Sequence, residues 1–308
     1  MKQENKLTRL KQYLKKIKIS PFNIICCILL FVYTIAMLIL IGWGFFTALK
    51  TQMQFRTDKI GLPPGMPWEW EWNNLLFVFS RFQIVITTTT VANKPIGFWE
   101  MLINTLLYAG GCAIISAVVT CVVAYLTTNF DYALSKIVTA TVIVTMILPI
   151  VGAYPSEMQI LKALGVYNTR FGPWIQKFNF LGLYFLVFQA TFKSMSKEFS
   201  EAASIDGANE MQILLKIMFP IVRNTLFTVI ILNFVAFWND YQAPLLYFPD
   251  FPTLTYGLYF FSRHGGNAMS TVPMKMSASF IILLPILIIF LAFRNRILGN
   301  VTMGGVKE

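Results

Sequence analysis

The chain has 308 residues, 56% hydrophobic and 13% charged, with a mean hydropathy of +0.62 and a formal net charge of +11. Soluble domains carry about a quarter charged residues. Here the apolar residues gather in charge-free runs of about 17 to 25, long enough to cross a ~30 Å hydrocarbon core at ~1.5 Å per residue. These numbers exclude a soluble globular domain and describe a polytopic helical membrane protein. The basic balance points to a membrane surface and not to nucleic acid, because no basic patch is interleaved with aromatics.

Residues 1–20 read as a basic amphipathic segment on the cytoplasmic membrane surface. Leu7, Leu10, Leu14 and Ile17 recur at helical spacing among lysines and one arginine. The first transmembrane helix follows over 21–49. Its apolar run from Phe22 to Leu49 is too long for the h-region of a signal peptide and shows no small-residue cleavage site. Residues 50–100 form an extracytoplasmic loop rich in Pro (63, 64, 67) and Trp (68, 70, 72), residues that suit the water interface. A helical core over 101–295 then holds spans at about 102–128, 137–154, 177–193, 218–239 and 276–293. The second span carries Gly110, Gly111, Ala113, Ala117, Cys121 and Ala124, small residues that admit a close helical neighbour. Residues 296–308 are a short cytoplasmic tail. With both termini inside, most of the 25 Lys and Arg residues fall in cytoplasmic pieces, as the positive-inside rule requires of six spans.

Catalytic signatures are missing. The sequence has no G-x-x-x-x-G-K-[ST], H-E-x-x-H or G-x-S-x-G. The four cysteines (Cys26, Cys27, Cys112, Cys121) lie in apolar runs without C-x-x-C spacing, and His264 is the single histidine, so neither a metal centre nor a disulfide framework is expected. The centres of the six spans hold no ionisable residue, leaving a proton relay nothing to run on, although a sodium site built from carbonyls and hydroxyls stays open. Uphill transport would therefore draw its energy from a partner.

The loop over 196–220 is the most informative segment. Two short helices are expected with a bend at Asp206-Gly207: Ser196 caps the first, Glu198 lies in its first turn, and Phe199, Ala202 and Ala203 share a face. Asp206 is placed to cap the second helix, where Met211, Leu214, Leu215 and Met218 repeat at helical steps. Such an element fits a groove on a soluble partner; an ordinary amphipathic connector has the same pattern.

Glu201-Ala202-Ala203, then Gly207, then Ile217 and Pro220 resemble the EAA loop of ABC importer permeases (E-A-A, three residues, G, nine residues, I-x-L-P). Phe219 replaces the usual Leu, and Asn224 stands where a second Pro is common. The segment 234–245, with Phe234, Trp238, Asn239, Tyr241 and Pro244-Leu245, is similar to the F-x-x-x-W-N-x-[FY]-x-x-P-L segment of carbohydrate-type permeases related to the second permease of the maltose transporter. The tail 299–308 resembles their terminal G-x-T-x-G-[AG]-V-K-G, with Glu308 in place of the last Gly.

The resemblance implies a type I ABC importer transmembrane domain, with six helices and cytoplasmic termini, in a bacterial plasma (inner) membrane. It implies two nucleotide-binding ATPase subunits, a second permease subunit and an extracytoplasmic solute-binding protein as partners. No cofactor is implied for this chain itself, ATP being bound by the partners. Glu201, Ala202, Ala203, Asp206, Gly207, Ile217 and Pro220 become the ATPase-coupling set, with Glu201 as the ion-pairing residue. Gly304, Gly305 and Lys307 become an ATPase-contacting tail, as against an undocked end. Phe234, Phe237, Trp238 and Asn239 offer aromatic faces and an amide to a sugar in the translocation path, although an aromatic belt at the membrane surface would look the same. The loop from Phe248 to Thr271, with His264, Gly265 and Gly266, is placed to face the binding protein. A stand-alone facilitator or channel, and a non-sugar solute such as a glycerol phosphate, are the alternatives.

Overall fold

The computed structural model describes residues 21–86, 94–148, 152–195, 198–264 and 268–301. The chain divides into two compact units, one ending at Glu71 and the other beginning at Trp72.

The first unit holds α1 (Pro21–Ala48) and α2 (Gln52–Thr57), followed by a 3-10 turn at Pro67–Glu69. Nearly every α1 side chain before Gly44 is exposed although the helix is strongly apolar, the pattern of a helix solvated by lipid. Thr51 caps α2 reciprocally with Gln54. The carboxylate of Asp58 accepts the amides of Ile60 at 3.0 Å and Gly61 at 2.9 Å, and these two bonds hold its pKa below the usual range.

The second unit begins with α3 (Asn73–Arg81) and a two-stranded antiparallel ribbon, β1 (Gln83–Ile86) with β2 (Lys94–Gly97), in which Ile84 faces Ile96. The expectation of an all-α chain is thus corrected within the loop 50–100. Buried Ile84 and Ile86 alternate with exposed Gln83 and Val85, the two-residue period of a half-buried strand. Then come α4 (Phe98–Asn129), α5 (Ala133–Ile147), α6 (Tyr154–Ala163), α7 (Gly172–Gln176), α8 (Leu183–Lys193), α9 (Glu198–Ile205), α10 (Glu210–Ile213), α11 (Phe219–Trp238), α12 (Gln242–Tyr247), α13 (Leu254–Arg263) and α14 (Val272–Val301).

The α4 helix is the spine, packed along α11 and α8 through Ala109, Ala113, Ala117, Cys121 and Ala124, all fully buried. These small residues bring helix backbones close, as expected. Two polar bonds tie the apolar parts together. Gln189 donates to Thr139 Oγ1 at 3.1 Å, joining α8 to α5, and Asn104 donates to the carbonyl of Pro252 at 3.2 Å.

Among the described residues, α1, α4, the run Glu210–Trp238 and Val272–Arg294 are long and apolar enough to cross a membrane. The expected third and fourth spans are shorter. The α5 helix has 15 residues, and residues 149–151 of the expected span lie outside the described residues. The α8 helix has 11 residues because Gly182, with φ of 124°, breaks the chain before it.

Gly111 sits where Trp174 crosses α4. The Trp174 indole donates to the Leu107 carbonyl at 3.0 Å, and a Cβ built on Gly111 would lie 2.0 Å from that indole nitrogen. Gly111→Val should displace Trp174 and cost about 1–3 kcal/mol. Thermal unfolding in detergent would register this as a lowered midpoint with an altered tryptophan emission; an unchanged midpoint would contradict the packing.

Candidate functional site

The segment after residue 197 folds as an elbow. The α9 helix ends in a left-handed glycine turn: Ala208 N–H donates to Ala203 O at 3.0 Å, Gly207 N–H donates to Ser204 O at 3.1 Å, and Gly207 has φ of 84°. This pair of bonds is a Schellman stop, in which the residue at Gly207 must adopt the conformation that glycine tolerates best. Asp206 is not the cap of the next helix, contrary to expectation. Asn209 is: its Oδ1 accepts Gln212 N–H and its own N–H donates to Gln212 Oε1, both at 2.9 Å. Asp206 lies at the end of α9 before the left-handed turn, whereas Asn209 has the extended backbone an N-cap needs. Ser196 lies outside the described residues.

From α10 the chain enters one wide turn over Leu214–Met218, in which Phe219 N–H reaches back five residues to Leu214 O. Pro220 gives a reason for it. A proline inside a helix has no N–H and presses its ring on the carbonyl four residues earlier, here that of Lys216, and a π turn relieves the pressure.

The elbow has two faces. Ala203, Ile213, Leu214 and Met218 are buried against Tyr125, Phe188 and Phe192 of α4 and α8, with Ile217 half-buried beside them. Glu201, Ala202, Ile205, Asp206 and Gly207 are exposed, as are Phe199, Met211, Leu215 and Pro220. The expected shared face of Phe199, Ala202 and Ala203 is therefore split, as is that of Met211, Leu214, Leu215 and Met218. Tyr125 completes the seat: its hydroxyl accepts from Asn129 at 3.0 Å and lies 3.5 Å from Glu210 Oε2.

The second predicted cluster lies at the far end of α11. Trp238 is 0% exposed and donates its indole N–H to the Ile282 carbonyl at 3.2 Å, while its own carbonyl accepts the Thr255 hydroxyl. The ring is thus held in the protein interior. Phe234 is half-buried against Trp238, with ring centroids 5.5 Å apart. Phe237 is also half-buried, with the Lys177 ammonium 5.4 Å from its ring centre. Asn239 is exposed and donates to Val235 O. Gly304, Gly305 and Lys307 lie outside the described residues, as do Gly265 and Gly266. His264 stacks on Phe260 with centroids 4.1 Å apart.

Sequence reasoning did not single out the polar clasp around this cluster. Tyr108 donates to Asp240 Oδ2 at 2.6 Å, and Asp240 Oδ1 accepts the amides of Gln242 and Ala243, so one carboxylate ties α4 to the start of α12. Glu157 Oε2 accepts Tyr247 at 2.7 Å and Gln176 at 3.0 Å. Burial and that carboxylate push the Tyr247 hydroxyl well above its ordinary pKa. Asn168 is held left-handed at φ of 54° by bonds to Tyr247 O and to both the amide and the carboxylate of Asp250. Asp240 followed by Tyr-Gln-Ala-Pro was the one readable signal, an Asx cap before a short helix.

Residues 116–301 match the model of the binding-protein-dependent transport system inner membrane component family. The chain belongs to this family. Both the elbow and the α11 cluster lie inside the matched region. The permease is 28% identical over 209 residues to the melibiose/raffinose/stachyose import permease protein MelC of Bacillus subtilis, covering 67% of this chain and 75% of MelC. It is 25% identical to the trehalose/maltose transport system permease protein MalG of Thermococcus litoralis, over 70% of this chain and 78% of MalG. To the diacetylchitobiose uptake system permease protein NgcG of Streptomyces coelicolor it is 23% identical, over 90% and 86% respectively. The fold matches a chain of a bacterial ABC transporter involved in the import of the acidic polysaccharide alginate, with a TM-score of 0.72 at 20% identity, covering 91% of this chain and 99% of that one. The permease is a multi-pass transport component of the plasma membrane.

Substitutions at two positions separate the roles of these residues. Gly207→Asn should keep most uptake activity, because Asn tolerates the left-handed region, whereas Gly207→Val should abolish it with the protein still inserted. Equal activity of the two variants would contradict the turn. Trp238→Ala should cost about 3–5 kcal/mol of stability, read as a fall in the unfolding midpoint; loss of transport at unchanged stability would put Trp238 in the path instead.

Proposed function

We propose that this permease is one membrane subunit of an ATP-driven, binding-protein-dependent importer for a sugar or oligosaccharide. It pairs with a second permease, two nucleotide-binding ATPase subunits and an extracytoplasmic solute-binding protein. It crosses the membrane six times with both termini cytoplasmic; α5 and α8 supply the third and fourth crossings together with their flanking segments. The elbow is the ATPase-coupling element, and ATP is bound by the partners.

The observation that carries this reading is the two-faced elbow. Ala203, Leu214 and Met218 bind it to the helical core, while Glu201, Ala202, Ile205 and Asp206 are left uncovered. A small apolar face flanked by carboxylates suits a basic-rimmed groove on a soluble motor, and the rigid turn at Gly207 lets motion of that motor pass to α11 through the π turn. Glu201 supplies the ion pair. Gly304, Gly305 and Lys307 are proposed to extend the same contact. The sugar assignment draws on the named relatives and on Phe237 and Asn239, an aromatic face beside an amide at the end of α11, with Phe234 and Trp238 as their support.

Glu201→Lys should lower recovery of the ATPase with the purified permease several-fold while membrane insertion is unchanged, because the variant reverses the charge facing the motor. Recovery equal to wild type together with full ATP-driven uptake would reject the coupling role. Flux through this chain alone in liposomes, indifferent to ATP, would favour the facilitator.

A further inference from the structure

The first unit contains a surface that neither the elbow nor the path uses. The α1 helix has 28 residues, ~42 Å at 1.5 Å per residue, and so outlasts a ~30 Å hydrocarbon core. Its exposed apolar stretch from Phe22 to Ile41 takes up ~30 Å of that core at ~1.5 Å per residue, and burial begins at Gly44, which sets the last turns at the headgroup layer. The chain beyond it does not run off into water but folds back beside those turns. Trp43 donates its indole N–H to Lys59 O at 2.8 Å, placing residue 59 about five positions, or ~7.5 Å, below the helix end. Lys50 is buried and donates to Asp58 O at 2.8 Å. Further on, Trp70 packs edge-on against Phe46 with centroids 5.7 Å apart, and Glu71 N–H donates to Leu49 O at 3.1 Å.

Residues 59–71 are therefore pinned at both ends along the final two turns of α1. Between the pins, Ile60 is 85% and Trp68 75% exposed, with Leu62 and Met66 exposed as well. These side chains stand at the depth where a lipid-solvated helix passes into the headgroups. The polar work of the segment is done internally: Asp58 caps Ile60 and Gly61, and Glu69 accepts the Met66 amide.

We propose that residues 59–71 form an interfacial lipid anchor, in which Ile60, Leu62, Met66 and Trp68 insert into the headgroup–acyl boundary and fix the depth of α1. Their continuity with the lipid-exposed face of α1 names lipid as the occupant, and an indole at that depth is the side chain best suited to it. The inference rests on α1 spanning the membrane and is independent of coupling to an ATPase.

The full-length permease is reconstituted with its partners into phosphatidylcholine vesicles whose acyl chains are brominated either near the headgroup or near the bilayer centre. Trp68 is read as the difference between wild type and Trp68→Phe. The shallow bromolipid should quench the Trp68 signal by about half or more, the deep one less, and aqueous iodide hardly at all. Ile60→Glu should lift the segment, reducing shallow quenching and raising iodide quenching. Equal shallow quenching of wild type and Trp68→Phe overturns the anchor. In that case, iodide quenching of Trp68 marks a water-facing surface, and protection from both quenchers marks a protein partner there. Insertion of α1 itself is scored separately by Phe31→Trp, which the deep bromolipid must quench; failure of that control rejects the membrane reading of α1 and not the anchor alone.

Discussion

The two main-chain hydrogen bonds that close the turn at Gly207 determine where the exposed side chains of the elbow point. With Ala208 bonded to Ala203 O and Gly207 to Ser204 O, α9 stops after Ile205 and the chain reverses before α10. A residue with a Cβ there would resist the left-handed backbone, although open space surrounds the position, so the constraint is conformational and not steric crowding. Ala203 serves twice: its carbonyl closes the turn and its small side chain is buried against the core. Glu201, Ala202 and Ile205 are left facing outward as a consequence.

The other end of α11 is governed by carboxylates at the unit's polar edge. Asp240 and Glu157 each collect bonds from several segments, so the residues after Trp238 are fixed relative to α6, α7 and α12 by polar bonds as well as by the apolar packing of Tyr108, Leu161, Tyr247 and Phe248. Rigid placement at both ends of α11 is what a lever between a motor and a solute path needs. The helix joins the wide turn before Pro220 to the Asp240 cap in one uninterrupted rod.

The long spans were legible because hydropathy over ~20 residues is a strong signal. The bend was legible in Asp206-Gly207, but the burial of Ala203 was not, because a small side chain suits a partner's groove and the chain's own core equally well. The fourth span was overextended: Phe178, Phe180 and Leu181 are apolar, yet the backbone breaks at Gly182 and only α8 follows. The cap at Asn209 was missed because Asp206 also has capping chemistry, and only the extra residues consumed by the Schellman turn move the start to Asn209. The ribbon was hidden in a segment read as loop, although Ile84-Val85-Ile86 is β-branched throughout. Trp238 shows the limit of composition: an aromatic near a helix end reads as path or as surface belt, whereas the ring is buried with its indole bonded to the Ile282 carbonyl.

Thiol accessibility at position 205 tests the central claim most directly. In Ile205→Cys, a membrane-impermeant maleimide should label inside-out vesicles but not intact cells, and co-assembled ATPase should protect the site. Labelling from the outside of intact cells, or labelling in inside-out vesicles that the ATPase leaves unchanged, would contradict the assignment of this elbow as the contact through which the permease is driven.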